Sequence, residues 1–135
     1  MTETQRKKQI LYSYQDEVAR VDRIHEQIVE LRGRKTSISI NLDGMPHGNQ
    51  VSDLSNYAAR YDELYRMYLD ALDKSANRRV EISRAIEDVA SEAERAVLTK
   101  RYLDGKVWEQ IAYEMHYSRM QVNRIHGHAL MHIKL

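Results

Sequence analysis

A chain of 135 residues has room for one domain, or for a small domain with a helical extension, and none for a large catalytic core. One Pro and five Gly favour helix almost throughout, and the absence of Cys excludes disulfides and thiolate zinc sites. The net charge of +1 divides unevenly: residues 1–90 hold 14 Lys or Arg against 15 Asp or Glu and residues 91–135 hold 7 against 5, or −1 and +2, so non-specific binding to DNA should be weak per monomer.

In chain order, the N-terminal MTETQRKKQ lacks the apolar core of a signal peptide, and no apolar run approaches the roughly 20 residues of a membrane span. No membrane is expected as a partner, and a cytoplasmic protein is. From about Thr4 to Leu42, Leu11, Tyr14, Val18, Val21, Ile24, Ile28 and Leu31 recur at intervals of three and four, predicting a long amphipathic helix with a coiled-coil-like stripe. Residues 37–42 alternate like a strand, while Leu31, Ile38 and Leu42 also keep helical spacing. Helix is favoured because an end near Asp43-Gly44, with Pro46 just beyond, leaves a connector of about ten residues instead of about twenty. Met45-Pro46-His47-Gly48 then reads as the turn that reverses the chain, with a ligand or partner loop as the alternative.

Ser52 or Asp53 is placed to cap a second long helix, with Leu54, Tyr57, Ala58, Tyr61, Leu64, Tyr65, Tyr68, Leu72, Ala76, Val80, Ile82, Ile86 and Val89 along one side. At about 1.5 Å per residue it would extend nearly 60 Å, too far for one small globule, so it needs a partner along its length. The first helix can fold back on it as a hairpin, yet a two-helix hairpin leaves apolar edges exposed. Residues 1–90 are therefore expected to form a homo-oligomer, a dimer first. The row Tyr57, Tyr61, Tyr65 and Tyr68, in a chain without Phe, suits a half-buried helix interface. A base-stacking platform is disfavoured by the neighbouring Asp62, Glu63 and Asp70.

Residues 91–135 read as three short helices around one small core. Ser91-Glu92-Ala93-Glu94 is a capping box, and Ala93, Val97, Leu98, Arg101 and Tyr102 supply a supporting helix that stops at Asp104-Gly105. Trp108 to Met115 carries Ile111, Ala112 and Met115 on one face, and His116-Tyr117 leaves only a tight turn before the next helix. That helix starts at a second capping box, Ser118-Arg119-Met120-Gln121, and buries Val122, Ile125, Ala129 and Ile133. Its other face carries Arg119, Met120, Asn123, Arg124, Gly127 and Met131, and from Tyr117 onward there are three Lys or Arg and no Asp or Glu. A cationic helix with Asn and Arg on its first two turns has donors for phosphates and for base edges in a major groove. The candidate DNA-contacting residues are Arg119, Met120, Asn123, Arg124, Ser118, His128 and Lys134, and the expected partner is double-stranded DNA.

Glu94-Arg95, Val97-Leu98, Arg101-Tyr102, Gly105, Glu109, Ile111-Ala112, Ser118, Val122, Ile125 and Ala129-Leu130 together resemble region 4 of bacterial sigma factors and, more closely, small phage and prophage proteins related to late-gene transcription regulators. The resemblance implies base reading by Arg119, Met120, Asn123 and Arg124, and RNA polymerase as a further partner. A similar MPHG stretch followed by VSD occurs in the phage proteins. Two positions depart from the pattern. Val107 stands where Ser or Thr usually caps a helix, which should weaken that helix start by roughly 1 kcal/mol. His116 stands where Gly is usual, which a turn can survive because His is enriched at positive φ.

His126, His128 and His132 crowd the last helix, and two of them share a face at i, i+4, but a metal site normally needs more ligands and neither Cys nor a placed acidic residue is nearby. They are expected instead beside phosphate or a partner surface, with binding that tightens as pH falls through about 6.5. No nucleophile elbow, phosphate-binding glycine loop or zinc-protease signature is present, so neither an enzyme nor a cofactor is expected. The expected fold is all-α, with a long helical hairpin over residues 1–90 and a helix-turn-helix domain over 91–135. The expected function is a phage-type, sequence-specific DNA-binding transcription regulator. The alternatives are a DNA-packaging recognition protein of the small-terminase kind and a sigma-like module that binds RNA polymerase.

Overall fold

The computed structural model describes the backbone of residues 1–40 and 50–135, and the side chains of residues 1–34 and 53–135. Every regular element among them is helical: α1 (Glu3–Ile40), α2 (Gln50–Glu87), α3 (Glu92–Leu98) continued by a π-helical turn (Thr99–Leu103), α4 (Trp108–Met115) and α5 (Arg119–His132). The fold is all-α, with two long N-terminal helices and a C-terminal helical domain, and no described helix is long and apolar enough to cross a membrane. The helical reading of residues 37–40 agrees with the structure. The expected helix end near Asp43-Gly44 and the Met45-Pro46-His47-Gly48 turn lie outside the described residues. Helix α2 begins at Gln50, so Ser52 and Asp53 sit inside its first turn and neither is its cap. Asp53 still brings a negative charge to the positive end of the helix.

The packing divides the chain differently from a break at residue 90: Val18–Asp73 is one compact unit, and Met1–Glu17 with Lys74–Leu135 is the other. In the first, Ile24, Ile28 and Leu31 of α1 pack against Leu64 and Ala71 of α2, flanked by Val21, Tyr57, Tyr61 and Tyr68. The tyrosines stack along α2, Tyr57 on Tyr61 at 6.2 Å and Tyr61 on Tyr65 at 6.1 Å between ring centres, and Arg32 donates to the Tyr61 hydroxyl at 2.9 Å. The apolar stripe that the sequence presents as one face of α2 is two. Leu64 turns inward, while Leu54 and Tyr65 of that stripe, and Leu69 outside it, remain 42%, 44% and 49% exposed. Successive helical residues point about 100° apart, so a stripe that includes both Leu64 and Tyr65 is wider than one facing helix can cover.

In the second unit the ends of the long helices belong to the core on which α5 rests. Leu11 of α1 and Ile82, Ile86 and Val89 at the end of α2 cluster with Leu98, Tyr102, Leu103, Ala129, Leu130 and Ile133. A smaller cluster of Val97, Ile111, Ala112 and Val122, bordered by Trp108, Met115 and Ile125, holds α3, α4 and α5 together. Polar side chains complete the joints. The buried ammonium of Lys7 donates to the Leu130 carbonyl at 2.9 Å and to that of Met131 at 3.4 Å, so α1 satisfies carbonyls that the last turn of α5 leaves open. Arg95 Nη1 donates to the carbonyls of Val89 at 2.6 Å and Ala90 at 3.0 Å, and so satisfies the chain just beyond the end of α2. Gln15 donates to the carbonyls of Tyr102 and Leu103 at 3.0 and 3.2 Å. Below it Gly105 takes φ +69°, where a Cβ would stand 3.2 Å from Gln15 Oε1, so both backbone and space call for glycine at the expected stop.

Candidate nucleic-acid interface

The two helices of the motif are joined by three residues. Val107 precedes α4 with no side-chain cap, as its side chain dictates. At the other end His116 takes a left-handed conformation, φ 59° and ψ 35°, and the Tyr117 N–H reaches back to the Ala112 carbonyl at 3.0 Å. The imidazole thus occupies the position usually given to glycine, with the backbone of a helix-terminating turn intact. Helix α5 then starts on a reciprocal cap: the Gln121 N–H donates to Ser118 Oγ at 3.1 Å and the Ser118 N–H to Gln121 Oε1 at 2.9 Å. The Ser118 hydroxyl is therefore engaged in starting the helix. Ser91 caps α3 in only one direction, accepting from the Glu94 N–H at 3.3 Å. The Glu94 carboxylate does not return to complete a capping box; it is buried and accepts from His132 Nδ1 at 2.9 and 3.0 Å.

On α5 and the residues just after it, Val122, Ala129, Leu130 and Ile133 are buried, while Arg119, Met120, Asn123, Arg124, Gly127, His128, Met131 and Lys134 are exposed. One helical face thus gathers the guanidinium groups of Arg119 and Arg124, the Asn123 amide and the Met120 thioether over the first two turns. Arg119 Nη1 stands 3.7 Å from Glu109 Oε1 of α4, an exposed pair worth about 0–1 kcal/mol that a phosphate can displace. Sequence reading passed over Tyr113 of α4, 82% exposed, and the exposed Tyr117 in the turn. Tyr113 falls outside the buried pattern of Ile111, Ala112 and Met115, which is the signal that marks it as an outward side chain with a hydroxyl to offer.

The three histidines separate. The His126 ring lies edge-on to Trp108 at 4.6 Å between ring centres, and its Nε2 shares a 2.6 Å hydrogen bond with the hydroxyl of fully buried Tyr102. His132 is engaged by Glu94. Only His128 presents an exposed ring with no hydrogen bond among the described residues, so the expectation that all three rings lie open to phosphate or a partner surface is corrected to one. Among the described residues, no three of His, Cys, Asp and Glu stand close enough to share a metal ion.

Burial, with the nearby charges of Lys8 and Arg101, holds the His126 imidazole down to about 4 from its ordinary 6.5. The folded state keeps it neutral, whereas the unfolded chain takes up the proton below about 6.5. The contribution is therefore fully present above pH 6.5 and is lost as pH falls from 6.5 toward 4. For a partly buried ring, after solvent screening, we expect a loss of about 2 kcal/mol over that window. Urea unfolding at pH 7 and pH 4.5, on the native chain and on His126→Phe, measures it; the variant should show a weaker dependence.

Around that ring the guanidinium of Arg101 lies over Trp108 at 4.6 Å and over Tyr12 at 5.7 Å, and donates to the Tyr12 hydroxyl and the Lys106 carbonyl. Lys106 and Lys100 both reach Glu114, whose carboxyl they hold below its usual range, Lys106 more than Lys100. These contacts fix the loop before α4, and with it the angle at which α4 presents α5. A tight turn between a short helix and an exposed, acid-free helix with a paired cap is the arrangement that enters a major groove.

Residues 90–135 match the family model of sigma-70, region 4. The match covers the segment from the α2–α3 joint to the C-terminus and indicates a DNA-binding helix-turn-helix domain. No curated protein and no solved structure matches the chain. The region 4-like segment includes both helices of the motif and all seven candidate contact residues, while α1 and α2 lie wholly outside it. Its core nevertheless takes in Leu11, Ile82, Ile86 and Val89 from outside the matched span.

Proposed function

We propose that the protein is a sequence-specific transcription regulator of phage or prophage type, acting in the bacterial cytoplasm by binding double-stranded DNA, without catalysis. Helix α5 is the reading element. The observation that carries this is its exposed face: Arg119, Met120, Asn123 and Arg124 project from a capped N-terminus, with no carboxylate on the helix to oppose a phosphate. The region 4-like match supports the same reading and brings RNA polymerase into it as a second partner. Selection of bound duplexes from a random DNA pool tests it. Enrichment of one short site is expected; a pool that stays random after repeated rounds counts against sequence reading.

The regulator acts as a homo-oligomer, a dimer first, through its long N-terminal helices. The exposed Leu54, Tyr65 and Leu69 support this, together with the weak net charge of the C-terminal segment, since a second copy doubles the phosphate contacts. Because residues 1–17 and 74–89 share a core with residues 91–135, the intact chain is the right material, and a 1–90 fragment is not. Light scattering at tens of micromolar should report a dimer that Leu54→Lys with Leu69→Lys converts to monomer. A native chain that is monomeric at that concentration contradicts self-association, and a large ring favours the packaging alternative.

A further inference from the structure

The region 4-like match begins only at residue 90, yet the second turn of α1 lies against the far end of the recognition helix. Lys7 of that turn is fixed by its bonds to the Leu130 and Met131 carbonyls, and Arg6 donates to the Leu135 carbonyl. One turn further along α1, Tyr12 meets Tyr102 edge to face at 5.0 Å, and Tyr102 bonds His126. Lys8 and Tyr12 are at i and i+4, on one side of α1. Lys8 thus lies between two anchored residues of α1, Lys7 on the Leu130 and Met131 carbonyls and Tyr12, which reaches His126 through Tyr102, and its charge acts on the His126 ring. On α5, Arg119, Asn123, His126 and Leu130 form one row at i, i+4, i+7 and i+11. The N-terminal half of that row is exposed, and the N-terminal part of α1 lies beside the other half.

Lys8 itself is exposed and forms no ion pair or hydrogen bond among the described residues. The cations around it are otherwise engaged: Arg6 pairs with Glu3, and Lys7 is buried on the α5 carbonyls. An exposed ammonium on a turn packed against the reading helix, with no acidic residue on that helix to answer it, is available to a phosphate that borders the groove. From this geometry we infer that Lys8 is a DNA backbone contact, so that the DNA-binding surface extends from the region 4-like segment onto the first helix of the chain. The inference rests on α5 as the reading helix. It adds an anchor that carries no sequence information, since a Lys on phosphate positions the protein without reading bases.

The test measures fluorescence anisotropy of the full chain on its selected duplex and on a scrambled duplex, at pH 7.5 and from 50 to 200 mM salt. It compares the native chain with Lys8→Ala and Lys8→Arg, with the melting temperature of each recorded. Losing one phosphate contact should flatten the slope of log K against log salt by about 0.9, so that Lys8→Ala loses about threefold less affinity than the native chain over this range. The change should be equal on both duplexes, the melting temperature should hold, and Lys8→Arg should restore the native slope. If the native chain binds and Lys8→Ala keeps its slope and affinity, Lys8 is not a contact, while the reading of α5 stands. A weaker Lys8→Ala complex accompanied by a lower melting temperature also overturns the inference, because it assigns Lys8 a structural role. Failure of the native chain to bind either duplex removes the α5 reading itself, and the inference with it.

Discussion

Val122→Asp is expected to unfold the helix-turn-helix. The Val122 side chain is fully buried in a cluster whose other buried members are only Val97, Ile111 and Ala112, bordered by Trp108, Met115 and Ile125. A carboxylate there has no partner and no water, and even protonated it replaces methyl groups that joined α5 to α3 and α4. The cost of a buried, unpaired polar group and the loss of packing together exceed about 4 kcal/mol, a large share of the stability of a domain this small. Circular dichroism should show lost helix and no cooperative transition. Met120→Asp, on the same helix at a residue 72% exposed, should leave the transition within about 0.5 kcal/mol of native. A cooperative, native-like melt for Val122→Asp would contradict the packing of α5 on this cluster.

Asn123→Ala and Arg124→Ala should each relax base preference at one position of the bound site. An Arg can pair with the two acceptors of guanine and an Asn with the acceptor and donor of adenine, each worth about 1–3 kcal/mol of discrimination. Both side chains are exposed and neither joins a cluster, so truncation removes the contact without disturbing the core. Arg119 should behave differently. Its guanidinium is shared with Glu109, so part of its charge is already answered before DNA arrives, and its removal should cost less.

The sequence disclosed the helix-turn-helix in detail because its signals are local. Ser118 with Gln121 marks a helix start, Gly105 and His116 mark stops, and the three- and four-residue spacing of Val122, Ile125 and Ala129 marks the buried face. All of these depend on residues within one or two turns of each other. What escaped reading depends on groups far apart in the chain. Glu94 looked like half of a capping box, but its carboxylate is drawn away by His132, 38 residues later. His126 looked like a phosphate-side cation, but Tyr102 and Trp108 enclose it. Lys7 carries no local sign of burial, and its ammonium is buried on an α5 carbonyl 123 residues later. The division at residue 90 followed a change of pattern in the sequence, whereas the core is shared through Leu11, Ile82, Ile86 and Val89, whose spacing announces burial without saying against what. For the same reason, one apolar stripe on α2 resolved into a covered row and an exposed one.

The central claim is that the exposed face of α5 reads sequence. The most direct measurement is the affinity of the native chain, Asn123→Ala and Arg124→Ala for the selected duplex, for each single-base variant of it and for scrambled DNA, with circular dichroism as the folding control. The account predicts that each folded variant loses discrimination at one base position, by about 10- to 100-fold, while binding to scrambled DNA stays within about threefold of native. If both variants are folded and still separate the selected duplex from its single-base variants as the native chain does, α5 does not read sequence, and the region 4-like domain serves a protein partner instead.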